Sequence, residues 1–211
     1  MNGPARSFQP LKQKRMKTRN LILIVVIAVV LLLGGCGCSG YNSMVSLDEN
    51  VKAKWANVQS DYQRRSDLIP NLVSTVKGAA NFEQTTLTQV VEARAKATSV
   101  NINPADLTPE NIAKFQQAQG ELSGALGRLL VSVERYPELK ANQNFLDLQK
   151  QLEGTENRIK VSRNDFNTSV QEYNQTVRRF PNGLFAGMFG FHVRQPFQAD
   201  PGAEKAPSVQ F

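Results

Sequence analysis

The chain has 211 residues, of which 41% are hydrophobic, so it is long enough for one domain with a packed core. Its formal net charge of +7 is concentrated at the N-terminus, where six basic residues precede the first acid. The remaining 19 basic residues nearly balance the 18 acidic ones. This distribution argues against nucleic-acid binding. Two cysteines spaced C-x-C are too few for a disulfide framework or a four-ligand metal site.

The first predicted element is a membrane anchor. Residues 21–33, LILIVVIAVVLLL, span about 20 Å as a helix, less than the roughly 30 Å of a bilayer core. No charge occurs from Asn20 to Leu47, so a helix that continues through residues 34–40 can span. Basic residues stay on the inner side. We therefore predict a cytoplasmic N-terminus over residues 1–20, a single-pass transmembrane anchor over residues 21–40, and everything later outside the cytoplasm.

The same segment also fits a bacterial lipoprotein signal. Leu33-Gly34-Gly35-Cys36 resembles a lipobox, and the short apolar run suits a signal peptide. Cys36 is therefore the possible lipidation site of this alternative. The long basic region favours the uncleaved anchor, and so does the helical pattern that starts within a few residues of Cys36.

A long helix is predicted after the anchor, because apolar residues recur at alternate steps of three and four. Arg65 interrupts this stripe. Pro70 lies in mid-helix, where it removes a backbone donor, frees the carbonyl of Ser66 and tends to bend the axis. The stripe comprises Met44, Leu47, Val51, Trp55, Val58, Tyr62, Arg65, Ile69, Leu72, Val76 and Ala79.

Three further helices follow, each with a recognisable start. Asn81 and Gln84 resemble a capping box for the second. Thr108 precedes Pro109 at the start of the third, and Asn142 can cap the fourth. The inward-facing residues are predicted to be Leu87, Val90, Val91 and Ala97 on the second; Ile112, Phe115, Gln119, Leu122, Leu126, Leu129, Val133 and Tyr136 on the third; and Phe145, Leu148, Leu152, Thr155, Ile159, Ser162, Phe166, Ser169, Tyr173, Thr176 and Phe180 on the fourth.

The fourth stripe alternates large side chains with small hydroxyl side chains, which lets neighbouring helices interdigitate. Its buried hydroxyls can bond to carbonyls of their own helix. The pattern predicts an all-α protein, a membrane-anchored antiparallel four-helix bundle over residues 41–180 with long first and last helices.

Residues 181–211 form a Gly/Phe-rich C-terminal tail. It contains five of the eleven phenylalanines. One interpretation is a strap that packs its aromatic rings onto the helices. The other is a contact surface for a partner or the membrane, because exposed aromatic clusters usually bind something. The candidate contact residues are Phe185, Phe189, Phe191 and Phe197.

After the anchor, the sequence closely resembles the LemA family. The resemblance is most specific at YQRRSDLIPNLVSTVKG (62–78) and continues through QAQGELSGALGRLL (117–130) and RNDFNTSVQEYNQTVRRFP (163–181) to FAGMFGF (185–191). It implies an N-terminally anchored bacterial membrane protein with an all-helical, four-helix bundle domain. It implies no particular activity.

Arg65 is the most unusual residue of the predicted core. A buried charge needs a partner, and Glu92 and Glu134 lie on helices that could pass beside it. One interpretation is an ion pair that fixes helix register; the other is a polar pocket for a ligand or partner at the Pro70 kink. The predicted polar network comprises Tyr62, Arg64, Arg65, Asp67 and Asn71, with Glu92 and Glu134.

No motif in the chain predicts a reaction. His192 is the single histidine and has no cysteine nearby, so we predict no catalytic residues, no metal and no cofactor. Two functions remain open. The first is a non-enzymatic scaffold or adaptor of the bacterial inner membrane that binds a protein partner or itself. The second is a small-molecule-binding accessory to envelope sensing or transport.

Overall fold

The computed structural model describes residues 18–78 and 82–198, without the side chains at positions 18, 19, 29, 30, 32–34 and 36. These ranges are all-helical and contain no strand, as predicted. The helices are α1 (Thr18–Lys77), α2 (Gln84–Ser99), α3 (Pro109–Val133), α4 (Pro137–Lys140), α5 (Gln143–Arg178) and α6 (Asn182–Phe185). A 3-10 turn (Ala186–Phe189) and an extended segment (191–198) follow.

Helix α1 is continuous over 60 residues, about 90 Å at 1.5 Å per residue. The glycines that separate the apolar segment from the later stripe do not interrupt it. Pro70 lies inside the helix without ending it. The two ends of α1 are therefore joined by regular helix rather than by a loop.

The N-terminal part of α1 is exposed. The large apolar side chains of residues 21–27 and 31 are at least half exposed. In the described ranges, none of the helices combines the length and the apolarity that crossing a bilayer requires.

The core lies between α1, α2, α3 and α5, where α1 runs along α5 and α2 packs on α3 and α1. Of the α1 stripe, nine positions are buried, Leu47 is half-buried, and Ala79 lies outside the described residues. One apolar cluster surrounds Trp55 and Phe166, and a second surrounds Leu72 and Leu129. Because the first ends on α1 at Tyr62 and the second begins at Ile69, Arg65 lies between them.

Local hydrogen bonds explain where the helices begin and how α5 buries its hydroxyls. Thr108 Oγ1 accepts from the Asn111 amide at 3.2 Å. Asn142 Oδ1 accepts from the Asn144 and Phe145 amides at 2.9 and 3.2 Å. Both predicted caps are therefore confirmed. Three hydroxyls donate to carbonyls three residues back, at 2.7 to 3.1 Å, which confirms the predicted back-bonding: Thr155, Ser162 and Ser169.

Several predicted positions differ from the structure, one in the middle of α2 and the others at helix ends. Val91 is exposed because α2 covers α1 and α3 with a narrower face than the stripe assumed. Phe180 is exposed because α5 ends at Arg178, and Val177 fills the last buried position. Helix α2 begins with Glu83 at its N-cap position, and the predicted cap Asn81 lies outside the described residues.

The Asn142 cap gives a testable stability effect. Replacing Asn142 with alanine leaves two amides of α5 without their acceptor, so we expect the free energy of unfolding to fall by about 1 kcal/mol. Chemical denaturation of the full chain in detergent measures this. The matched control is Asn144→Ala, because Asn144 is exposed on the same turn. Equal denaturation midpoints for the two variants would contradict the capping role.

Candidate functional site

The side chain of Arg65 is only 3% exposed. Its Nη1 donates to Ser123 Oγ at 2.8 Å and forms a salt bridge with Glu156 Oε2 at 3.0 Å. Its Nη2 donates to Gln119 Oε1 at 2.8 Å and to the Gln119 carbonyl at 3.4 Å. One guanidinium therefore connects α1 with both α3 and α5. We call Arg65, Gln119, Ser123 and Glu156 the Arg65 cluster.

Pro70 shapes the backbone beside this cluster. Because proline has no amide hydrogen, the carbonyl of Ser66 loses its usual helical donor. Arg94 of α2 takes that place, since its Nε donates to the Ser66 carbonyl at 2.9 Å. Arg94 was not among the residues predicted from the sequence. The one hint in the sequence was that a basic residue lies on the helix after Pro70, where it could bond to the carbonyl that the proline leaves free.

The acid that pairs with Arg65 is neither of the two predicted ones. Glu134 lies just beyond the end of α3 and pairs with Lys140 at 2.5 Å. Glu92 is exposed on α2. Glu156 reaches the guanidinium because it borders the buried face of α5. Its side chain is 61% exposed, so the carboxylate keeps its contact with water while it pairs with a buried charge.

Tyr62 is the other predicted network residue that the structure buries near Arg65. Its ring packs edge-on against Phe115 at 5.0 Å and lies 5.0 Å from the Arg65 Cζ atom. Asp67 accepts a hydrogen bond from Gln63 at 2.7 Å on the surface. Three other residues of the predicted polar network are exposed, and within the described ranges none of them bonds to the Arg65 guanidinium: Arg64, Asp67 and Asn71.

A cleft of about 400 Å³ opens beside the Arg65 cluster, between α1 and the α2–α3 side of the core. Tyr62, Ser66 and Gln119 contribute to its wall. The Ser66 hydroxyl is buried and has no hydrogen-bond partner within the described part of the chain. A cleft of this size with a few polar groups could hold a small molecule.

The extended segment 191–198 is bound to the helices by side-chain amides. Asn174 pairs with both the amide and the carbonyl of Arg194, each at 2.8 Å. Asn167 pairs with the Phe197 amide at 2.8 Å and with its carbonyl at 3.5 Å. Gln116 of α3 makes the same two contacts with a third tail residue, Gln198, at 3.1 and 3.4 Å. These bonds satisfy backbone groups of a segment that has no strand partner.

Phe197 inserts its ring into the aromatic part of the core. It stacks on Trp55 at 5.7 Å and meets Phe166 edge-on at 5.4 Å. The guanidinium of Arg163 lies 5.0 Å above the outer face of the ring. Phe197 therefore packs onto the helices, as the strap interpretation of the tail predicts.

Three other phenylalanines of the tail lie nearer the surface. Phe185 and Phe191 are half-buried, whereas Phe189 is half-exposed. Both Phe189 and Phe191 meet Tyr41 of α1 edge-on, at 5.2 and 5.6 Å. Of the four predicted contact residues, Phe189 is therefore the most accessible to a partner. Phe211 lies outside the described residues.

A salt bridge holds the tail to α1. Arg194 Nη2 and Nε lie 2.7 and 3.0 Å from Asp48 Oδ1, and Lys52 Nζ lies 2.9 Å from Asp48 Oδ2. Burial disfavours the ionised Asp48 carboxyl, but the hydrogen bonds from Lys52 and Arg194 outweigh burial and lower its pKa. Burial and the nearby Asp48 charge raise the pKa of Tyr173, which lies below the Arg194 guanidinium.

The lowered pKa of Asp48 predicts acid sensitivity. A carboxyl whose pKa is lower in the folded state stabilises the fold above its unfolded pKa and loses this contribution as the pH falls through its folded value. We therefore expect wild-type stability to decline below the ordinary aspartate pKa of 3.8, and Asp48→Asn to reduce that decline. Denaturation of the full chain across acidic pH measures this. The control Asp165→Asn removes a carboxylate from a half-exposed pair with Lys54 and should change the free energy of unfolding by less than about 1 kcal/mol.

The described side chains do not gather into a metal site. No cluster of three or more His, Cys, Asp or Glu residues occurs in the described ranges. His192 is exposed on the tail, and the side chain of Cys36, the possible lipidation site, lies outside the described residues. What the arrangement does is join helices through a buried cation and hold an extended tail.

Comparison with known proteins identifies relatives of the chain. A family model described as the LemA family matches residues 54–211. The chain is similar to magnetosome protein MamQ 2 of Paramagnetospirillum magneticum, with 26% identity over 92% of this chain and 78% of that protein. It is also similar to MamQ of Magnetospirillum gryphiswaldense, at 26% identity over 78% and 66%. Protein LemA of Metamycoplasma hominis is 20% identical over 75% and 68%.

Proposed function

Because the chain belongs to the LemA family, we propose that it is a membrane-anchored, non-enzymatic scaffold of the bacterial cell envelope. In this proposal an antiparallel four-helix bundle stands outside the cytoplasmic membrane and presents its surface to a protein partner or to another copy. The observation that carries the proposal is the unbroken helix α1. It joins an exposed apolar segment to the packed core without a loop.

The anchor part of the proposal is supported by the first third of α1. Large apolar side chains at residues 21–27 and 31 are exposed around the helix rather than along one stripe. Such a surface needs an apolar environment, and a bilayer supplies one. The basic residues before it favour an N-terminus in the cytoplasm.

The scaffold part is supported by buried polar groups that bond one helix to another. The buried guanidinium of Arg65 and the carbonyl at Ser66 are engaged in bonds between helices. Such bonds fix relative positions and involve no reactive group. The MamQ relatives are named as magnetosome proteins, and their names state no reaction. A protein whose bonds maintain a fixed helical surface suits the task of positioning other proteins.

The cleft beside Arg65 supports a second candidate function, a small-molecule-binding accessory to envelope sensing or transport. Its volume of about 400 Å³ suits a metabolite, and the Ser66 hydroxyl could donate to one. Gln59 at the rim is already bonded to Asn101 and to the Ile102 carbonyl, both at 2.9 Å. The wall of the cleft is therefore fixed before any ligand enters.

One experiment separates the two functions. The full chain is crosslinked in native membranes, captured by affinity, and examined by native mass spectrometry. The scaffold predicts a protein partner or a second copy in constant ratio, unchanged by Ala56→Trp, which fills the cleft. Ala53→Trp, an exposed α1 position outside the cleft wall, is the control.

The contrary outcome is equally specific. A monomer that carries a small bound mass, lost in Ala56→Trp and retained in Ala53→Trp, would overturn the scaffold in favour of the second function.

A further inference from the structure

Exposed apolar side chains are concentrated at one end of the packed helices. Outside residues 21–31, the described ranges contain nine exposed large apolar side chains, and three of these are isolated valines. The other six are Tyr41 of α1, which contacts Phe189, and five residues near the end of α5 and on the segment after it: Phe180, Leu184, Met188, Phe189 and Val193. We call Phe180, Leu184, Met188 and Phe189 the foot. Its most exposed members, Phe180 and Met188, have 80% and 81% of their area accessible.

The foot lies against α1 directly after the apolar segment. Asn182 packs so closely on Gly40 that a Cβ atom at this glycine would lie 2.2 Å from Asn182 Oδ1. Seven residues further along the chain, the Phe189 ring meets Tyr41 at 5.2 Å. The foot is therefore fixed at the level of residues 40–41 on the helix.

That level coincides with the expected edge of a bilayer. If the apolar run 21–33 is centred in a hydrocarbon core about 30 Å thick, half of that thickness corresponds to about ten residues beyond residue 27. The hydrocarbon then ends near residue 37, and the headgroup layer extends about 5 to 8 Å further, past residue 40. Tyr41 and the foot fall in this layer, where aromatic side chains are favoured.

The foot is preformed and flanked by positive charge. Asn182 Nδ2 donates to the Thr176 carbonyl at 3.2 Å, and the Gly183 amide donates to the Arg179 carbonyl at 2.9 Å. These bonds fold the chain back after α5 before any membrane is present. The side chains of Arg178 and Arg179 are exposed beside Phe180, so anionic headgroups would meet two guanidinium groups there.

We propose that residues 178–189 form a second, interfacial contact with the membrane, in which the foot enters the headgroup region of the leaflet that α1 leaves. This inference rests on the proposed membrane anchor. In this proposal the lipid surface is the binding partner of the foot. Two contacts, one through α1 and one beside it, fix the angle at which the packed helices stand on the bilayer.

The test uses tryptophan fluorescence of the full chain in vesicles of phosphatidylethanolamine and phosphatidylglycerol, with brominated lipids as contact quenchers. The native Trp55 is fully buried and supplies the background. Three single variants add a reporter: Phe189→Trp in the foot, Val131→Trp near the opposite end of the helices, and Ile27→Trp in the apolar segment. Leu184→Asp combined with Phe189→Trp tests whether apolar character holds the foot in the lipid.

We expect the added Phe189→Trp emission to be quenched at least twofold by lipids brominated near the headgroup. Ile27→Trp should respond most to bromine near the bilayer centre, and Val131→Trp should match the wild type. The Leu184→Asp substitution should reduce quenching at position 189. If Ile27→Trp is quenched while Phe189→Trp matches Val131→Trp, the foot inference fails and the anchor stands.

Two other outcomes are also decisive. A blue-shifted but unquenched Phe189→Trp emission would mean that protein, such as a second copy, covers the foot, and would overturn the inference. Unquenched emission from Ile27→Trp would refute the anchor itself.

Discussion

Replacing Arg65 with alanine is expected to lower the free energy of unfolding by about 2 to 4 kcal/mol. The substitution removes charged hydrogen bonds to Ser123 and Gln119 and leaves a cavity between the two apolar clusters. Removing one member of a fully buried ion pair costs the most when the remaining charge cannot reach water. Here Glu156 is 61% exposed, so the buried group that loses its donor is the side-chain oxygen of Gln119.

The variants that accompany Arg65→Ala follow from this reasoning. Glu156→Gln should cost about 1 to 2 kcal/mol, less than Arg65→Ala, because it removes the counter-charge of a buried guanidinium but keeps an oxygen that can accept from it. Arg65→Met combined with Gln119→Leu should recover most of the loss, since both buried polar groups are replaced by apolar ones of similar size. Denaturation of the full chain in detergent measures all of them. An Arg65→Ala midpoint equal to the wild-type midpoint would show that the cluster does not join the helices.

The second large effect is expected from Phe197→Ala, at about 3 kcal/mol. The ring fills a space between Trp55, Phe166 and the guanidinium of Arg163, and the shortened side chain would leave that space empty. The two hydrogen bonds from Asn167 to the backbone of residue 197 would remain, but the segment would no longer be held by a ring buried in the core. We therefore expect the backbone amides of residues 191–195, 197 and 198 to lose protection from hydrogen exchange.

Phe180→Ala is the matched control, because it deletes the same ring at a position that is 80% exposed. It should change the stability of the full chain in detergent by no more than about 0.5 kcal/mol. Similar losses for the two variants would contradict the assignment of Phe197 to the core and of Phe180 to the surface.

Periodicity explains why so much of the helical core could be predicted. Residues at steps of three and four share a helix face, so the burial of Trp55, Leu122 and Ile159 follows from spacing alone. Even the burial of Arg65 was predictable, because it occupies a position of the stripe. The predicted burial of Val91 and Phe180 was wrong, because the spacing of apolar residues does not show how wide a face the neighbouring helices cover or where the helix ends.

The partners of the buried groups could not be predicted in the same way. Which acid meets Arg65 depends on the rotation and axial shift of α5 relative to α1, and spacing within one helix contains no such information. The tail presents the same difficulty. Asn167 and Asn174 are seven residues apart on α5, which places them on one face, but nothing local links them to an extended segment about 20 to 30 residues later.

The most direct test of the central proposal is the membrane topology of the full chain with an epitope tag at each terminus. Protease is added to intact spheroplasts and, as a control, to lysed ones. The account predicts that the C-terminal tag is removed in intact spheroplasts while the N-terminal tag stays protected on a membrane-bound fragment. A C-terminal tag protected until lysis would contradict an external domain. A mature protein that lacks the N-terminal tag and begins at a lipidated Cys36 would replace the transmembrane anchor with the lipoprotein alternative.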